Sequence, residues 1–258
     1  MIIFNNKYIY TNMSQREMKL INRWGAKDND IKYFSKYLPL DSKIIVEPFG
    51  GSFAVSSNFY EANDKYKYHI NDSDPALCYI YHNVDEYIDI LKKFHKKIRD
   101  DTENSVVKQK LKSAKMPEFI KKYLSNIVIS KGYLKKKTNF NIKETDLKIL
   151  ENATITCEDY ELVLKKYKNN ASAFIFIDPP YLFSDNYTYA NQVMDSDNSD
   201  MMYKIHDYMQ TCKCKVMLVI NDLKIIRWIY HDMYIDSYVK IYQMTKKTVT
   251  HLIIRNYK

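Results

Sequence analysis

Lys43-Ile-Ile-Val-Glu-Pro-Phe49-Gly50-Gly51-Ser52 is the stretch from which the fold is read. Its apolar, β-branched first half predicts a buried strand. Two glycines then break it, and residues 53–62 read as a helix. Strand, glycine turn, helix is how α/β sheets that bind nucleotide-type ligands begin. The chain has only four glycines, so an adjacent pair marks a place where backbone must come close to a ligand. No Lys-Ser or Lys-Thr follows the pair, which excludes a phosphate-cradling P-loop. The next strand is expected at 66–70 and ends in Asn71-Asp72-Ser73-Asp74. Asp72 therefore falls about 20 residues after the glycine turn, where such folds place the acid that takes ribose hydroxyls. Asp74, directly before Pro75, is suited to capping the helix that follows.

A second apolar run, Ala173-Phe-Ile-Phe-Ile177, reads as another buried strand, and it ends in Asp178-Pro179-Pro180-Tyr181. As plain structure this is a rigid turn beside a solvated acid, with two backbone donors removed by the prolines. One chemistry uses all four residues: transfer of a methyl group to the exocyclic amine of a nucleobase. That nitrogen is a poor nucleophile because its lone pair is delocalised into the ring. The Asp178 carboxylate and the Pro179 carbonyl can each accept one of its two N–H bonds, which frees the lone pair and favours the charge that develops. Tyr181 offers a ring on which an extruded base can stack.

Asp-Pro-Pro-Tyr is the catalytic motif of amino-methyltransferases acting on DNA, and the order of motifs resembles the Dam-like (D12 class) adenine-N6 DNA methyltransferase family. The resemblance spans almost the whole chain. It implies a Rossmann-like S-adenosylmethionine-dependent methyltransferase fold with a small inserted, mostly helical target-recognition domain carrying a β-hairpin. It also implies cofactor-binding roles. Trp24 would pack on the cofactor and Lys27 would bond near its amino-acid end, although the interval between them is one residue shorter than usual. Glu47, Phe49, Gly50 and Gly51 match the glycine-loop motif, with Ser52 in place of a usual glycine. Glu47 would take the ammonium, Asp72 the ribose, and Glu158-Asp159-Tyr160 would lie near the adenine. Asp178 itself borders the cofactor. Lys247-Thr-Val-Thr-His-Leu-Ile-Ile-Arg-Asn-Tyr257 resembles the last strand of the family.

Charge placement fits a polyanion partner. The chain carries 40 Lys and Arg against 31 Asp and Glu, a net of +9. Residues 92–143 hold 16 of the basic groups and four of the acids, a net of +12, which leaves 24 against 27 elsewhere. All the excess positive charge thus lies in one internal segment. The alternative is a solvated helical face. Within the segment, residues 127–137 suggest a hairpin turning at Gly132. Ser125, Asn126, Lys131, Lys135, Lys136 and Lys137 are the candidate DNA contacts. Lysines there neutralise phosphate and position the protein without naming a base.

The remaining pattern predicts helices at 31–38, 85–99, 161–168, 201–211 and 223–230. Strands are expected at 153–157, 215–221, 234–242 and 249–256, and a mobile polar loop at 184–200. The expected division is a catalytic cofactor-binding domain, 1–85 with 150–258, and a target-recognition domain, 86–149. Four cysteines without a C-x-x-C spacing and six scattered histidines imply free thiols and no metal. No run of membrane length and no signal-peptide pattern is present, so a soluble cytoplasmic monomer is expected. A bias towards Lys, Asn, Ile and Tyr points to an AT-rich genome, a viral one among the candidates. The expected reaction is methyl transfer from S-adenosylmethionine to adenine N6 in double-stranded DNA. Cytosine N4, adenine in RNA, and a non-catalytic nucleic-acid-binding protein of the same fold stand as its rivals.

Overall fold

The computed structural model describes residues 27, 30–62, 65–98, 103–125, 144–181, 198–241 and 248–258. Among the described residues seven strands form one sheet in the order β3-β2-β1-β4-β5-β7-β6. They are β1 (Ile44–Glu47), β2 (Lys67–Asn71), β3 (Thr154–Thr156), β4 (Ala173–Ile177), β5 (Lys215–Asn221), β6 (Tyr234–Ile241) and β7 (Thr248–Arg255). The five strands from β3 to β5 are parallel, while β7 runs antiparallel to both β5 and β6. The chain leaves β1 for β2 and β3 on one side, then returns to β4 on the other. A crevice opens at the carboxyl ends of strands where the winding reverses in this way.

Both sheet faces are covered, so the central strands are apolar throughout. Along β4 the alternation is clean. Ala173, Ile175 and Ile177 enter one core with Val46, Leu218 and Ile254, and Phe174 and Phe176 enter the other with Ile45, Met217 and Ile253. Ten helices flank the sheet among the described residues. They are α1 (Ile31–Phe34), α2 (Ala54–Ala62), α3 (Pro75–His82), α4 (Val84–Ile98), α5 (Asn104–Lys112), α6 (Glu118–Tyr123), α7 (Glu144–Asn152), α8 (Tyr160–Tyr167), α9 (Asn198–Thr211) and α10 (Lys224–Ile229).

Most expected elements are present, with shifted ends. The helix expected at 31–38 is shorter: α1 gives way to a 3-10 turn at Ser35–Tyr37 before Pro39. The helix α9 begins at Asn198, inside the stretch expected as loop. The rest of that stretch, 184–197, and the hairpin at 127–137 lie outside the described residues. The helices α5 and α7 have no counterpart in the sequence reading. The helices α4 to α7 bury Leu91, Phe94, Leu111, Ile120 and Ile149 in one cluster with Phe53 and Ile70 of the sheet region.

The cysteines differ from expectation. Cys78 and Cys157 are joined as a disulfide, with their Cα atoms 5.7 Å apart, while Cys212 and Cys214 are free. The two partners are 79 residues apart in sequence. The pairing of β2 with β3 brings the end of β3 beside the first turns of α3, and local spacing carries no trace of that.

Candidate active site

The glycine turn is built by packing as much as by conformation. The Gly50 amide donates to the Asn71 carbonyl at 2.6 Å. A Cβ on Gly50 would stand 2.7 Å from Ile70 Cγ2 and 2.9 Å from that same carbonyl, so only glycine lets the turn lie against β2. Gly51 follows at φ 53°, and Phe53, fully buried, holds φ 41°. A left-handed non-glycine residue costs about 1–3 kcal/mol and persists where its surroundings over-determine it, which burial of the ring does here.

Two acids lock this loop. The Glu47 Oε1 accepts the Ser56 amide at 2.7 Å, one of the amides left without an intrahelical acceptor in the first turn of α2. Burial drives the Glu47 carboxyl up to about 7, and nearby Asp178 adds to the rise. The parallel pairing of β1 with β4 brings the ends of these two strands side by side. Asp72 accepts the Gly51 amide at 3.0 Å through Oδ2 and the Asp74 amide at 3.0 Å through Oδ1. Asp74 caps α3 by accepting from the Ala76 amide, as expected for that acid.

The third loop joins through a residue the sequence reading passed over. Asn71, the buried last residue of β2, donates to the carbonyls of Pro48 at 2.9 Å and Glu158 at 3.0 Å. Its Oδ1 accepts the Thr156 hydroxyl at 2.7 Å and the Glu158 amide at 3.0 Å. All four hydrogen-bonding positions of one amide side chain are used to tie together the ends of β1, β2 and β3. Glu158 and Asp159 are exposed, and Asp159 caps α8 through the Glu161 amide. Phe49 stacks on Tyr160 with centroids 5.1 Å apart, so the β1 loop meets the β3 loop through aromatic faces.

At the end of β4, Lys27 Nζ lies 2.5 Å from Asp178 Oδ1 and 3.2 Å from the Tyr181 hydroxyl. Lys27 is buried, and the Asp178 side chain keeps 22% of its surface open. Burial raises the Asp178 pKa while Lys27 pulls it back towards the ionised form. The ammonium also sits 5.4 Å over the Tyr181 ring, a cation–π contact. Behind this, Tyr181 meets His251 edge-on, with centroids 5.5 Å apart and planes at 80°.

The structure therefore gathers Glu47, Phe49, Gly50, Gly51, Ser52, Asp72, Glu158 and Asp159 on the loops that close the sheet's carboxyl edge. Lys27 stands with the Asp178–Tyr181 corner. Trp24, Asn126, Lys131, Lys135, Lys136 and Lys137 lie outside the described residues, and Ser125 is half-buried just past α6. Asn71, Asp30, Tyr238, Lys240 and His251 were missed as site residues. The available signal was a polar side chain inside an apolar strand, as in Tyr68-His-Ile-Asn71 and His251-Leu-Ile-Ile254.

Glu47, Asp72 and the Phe49–Tyr160 pair put two carboxylates and an aromatic face along this edge, chemistry compatible with the ammonium, ribose and adenine of S-adenosylmethionine. Fold and site together define a methyltransferase that draws its methyl group from S-adenosylmethionine. The model of the D12 class N6 adenine-specific DNA methyltransferase family matches residues 24–131 and 121–249, and the chain belongs to that family. A curated relative is the Type II methyltransferase M.CviBI of Paramecium bursaria Chlorella virus NC1A. It is 25% identical over 93% of this chain and all of its own length. Among solved structures, the precorrin-6y C5,15-methyltransferase of Geobacter metallireducens aligns over 96% of this chain and 97% of its own, at 10% identity and a TM-score of 0.44. A SAM-dependent O-methyltransferase of Thermotoga maritima aligns over 94% of this chain and 68% of its own, at 9% identity and a TM-score of 0.36. The protein is a DNA adenine methyltransferase with S-adenosylmethionine as its methyl donor.

Proposed function

We propose that the chain methylates the N6 amine of an adenine extruded from double-stranded DNA, with the Asp178–Tyr181 corner holding the base. The observation that carries this reading is the division of the Asp178 carboxylate. Oδ1 is taken by Lys27, and Oδ2 has no partner among the described residues. Lys27 favours the ionised form against the burial that raises the Asp178 pKa, and Oδ2 is left to accept one N–H of the amine. The Pro179 carbonyl accepts the other. With both N–H bonds held, the nitrogen lone pair turns out of conjugation. When bound, S-adenosylmethionine supplies an electrophilic methyl on a sulfonium that is already activated. Glu47 would hold its ammonium, Asp72 its ribose, and Trp24, Phe49, Gly50, Gly51, Ser52, Glu158 and Asp159 the remainder. Extrusion of the base costs a few kcal/mol, which stacking on Tyr181 partly offsets.

The basic insert, residues 86–149, is assigned to target recognition, with Ser125, Asn126, Lys131, Lys135, Lys136 and Lys137 on the DNA. Its net charge supports the reading. The protein works as a monomer in this scheme. Incubation with double-stranded DNA and labelled cofactor, followed by sequencing and nucleoside mass spectrometry, tests it. N6-methyladenine at defined positions is expected. N4-methylcytosine, or label on RNA alone, refutes it.

A further inference from the structure

A buried polar chain runs behind Tyr181. Lys240 Nζ lies 2.6 Å from Asp30 Oδ2, and the Tyr238 hydroxyl donates to the same oxygen at 3.2 Å. Tyr238 Oη is also 3.3 Å from His251 Nδ1, and that nitrogen is 3.3 Å from Tyr181 Oη. The chain runs Lys240, Asp30, Tyr238, His251, Tyr181. Asp30, Tyr238 and His251 are all buried. Burial and Lys27 hold the His251 pKa down to about 4, so the imidazole is neutral at physiological pH.

The proton inventory orders this chain. Tyr238 has one proton and gives it to Asp30, so its oxygen is an acceptor towards His251. Nδ1 then carries the imidazole hydrogen, which the Tyr238 and Tyr181 oxygens share. Nε2 is left bare and buried, with no hydrogen-bond partner. A buried polar atom without a partner is costly, so the ring is held here by what Nδ1 does. Tyr181 Oη now receives hydrogens from Lys27 on one side and His251 on the other, and the T-shaped contact fixes the plane of its ring.

We infer that His251 is a positioning residue: anchored through Tyr238 to Asp30, it sets the plane of the Tyr181 ring on which the extruded adenine stacks. This rests on the stacking role given to Tyr181 above. His251 is buried behind Tyr181, so its removal should weaken capture of the base and spare cofactor binding.

The test places 2-aminopurine at the target adenine, located beforehand by mapping methylated positions, and follows the fluorescence rise on extrusion. In His251→Phe the ring bulk stays and the Nδ1 hydrogen goes. The extruded population and kcat/KM for DNA should each fall about fivefold, the worth of one net hydrogen bond, while calorimetric affinity for S-adenosylmethionine is unchanged. His251→Asn, whose amide N–H reaches the Nδ1 position, should restore most of the loss, and His251→Gln should not. Tyr238→Phe removes one oxygen and should act in the same direction. It carries the test if the His251 variants fail to fold. Wild-type extrusion in His251→Phe or Tyr238→Phe, or an Asn variant as impaired as the Phe variant, overturns the proposal. Tyr181→Ala separates the two readings. Full extrusion and methylation in Tyr181→Ala sinks the stacking role itself. Loss in Tyr181→Ala with none in His251→Phe sinks only the positioning role.

Discussion

Lys27 Nζ and Asp178 Oδ1 stand 2.5 Å apart, although 151 residues separate them in sequence. The pair fixes the acid of the Asp-Pro-Pro-Tyr corner in place and in charge. A buried charge that loses its partner is expensive, so the two residues are coupled in stability as well as in chemistry.

Asp178→Ala should therefore act twice. Methylation should fall by more than tenfold, over about 1.4 kcal/mol in the barrier, while the fold is kept. The melting temperature should fall because Lys27 is left uncompensated, and Lys27→Met added to Asp178→Ala should recover part of that loss. Turnover assays and thermal melts check both. Turnover above a tenth of wild type removes the role given to Asp178, and a double variant no more stable than the single one removes the coupling.

Charge reversal at Lys135, Lys136 and Lys137 should weaken DNA binding and flatten its salt dependence, because a protein that neutralises fewer phosphates displaces fewer counterions. A plot of log affinity against log salt with the wild-type slope would take this arm off the interface.

Glu47 should leave a signature in stability against pH. Its carboxyl sits at about 7 folded against 4.5 in the free group, so the folded state binds more protons between those values. Its contribution to stability is present below pH 4.5 and is lost as pH rises to about 7. His69 and His251, each lowered from 6.5 to about 4 chiefly by burial, work the other way, and stability is lost as pH falls from 6.5 to 4. Glu47→Gln keeps an acceptor for the Ser56 amide and has no proton to lose. Its melting temperature, relative to wild type, should climb from pH 4.5 to pH 7. A constant difference across that window contradicts the assignment.

Asn71→Ala removes two donors and two accepted hydrogens at once. The Pro48 and Glu158 carbonyls and the Glu158 amide are deprived of a partner, while the Thr156 hydroxyl keeps His69 Nε2 at 2.8 Å. Unsatisfied buried groups cost about 1–3 kcal/mol each. Water reaches the Glu158 side, so a total near ~2–4 kcal/mol is expected in denaturant titrations, with weaker cofactor binding by calorimetry. A loss under about 1 kcal/mol would show that the three loops hold without it.

The sequence announced the centre of this site better than its frame. Lys215-Val-Met-Leu-Val-Ile-Asn221 was legible to the residue because its pattern is local and both faces are buried. The Gly50-Gly51 turn and the Asp178–Tyr181 corner were legible because their residue types are costly anywhere else. The helix α7 was not expected. Much of what secures it is distant, including the Asp146 carboxylate that accepts the Ser57 hydroxyl of α2 at 3.0 Å across 89 residues. The Cys78–Cys157 link and the His251 chain were hidden for the same reason: strand order creates them, and strand order is not written in spacing.

Because one asparagine knots three strand ends together, the crevice behaves as a single casting and not as a set of interchangeable parts. A designer who grafts the Pro48–Ser52 bend from a relative would have to bring along its matching residue at 71 and its backbone at 158. Swapping any one of the three alone leaves the other two without a mooring.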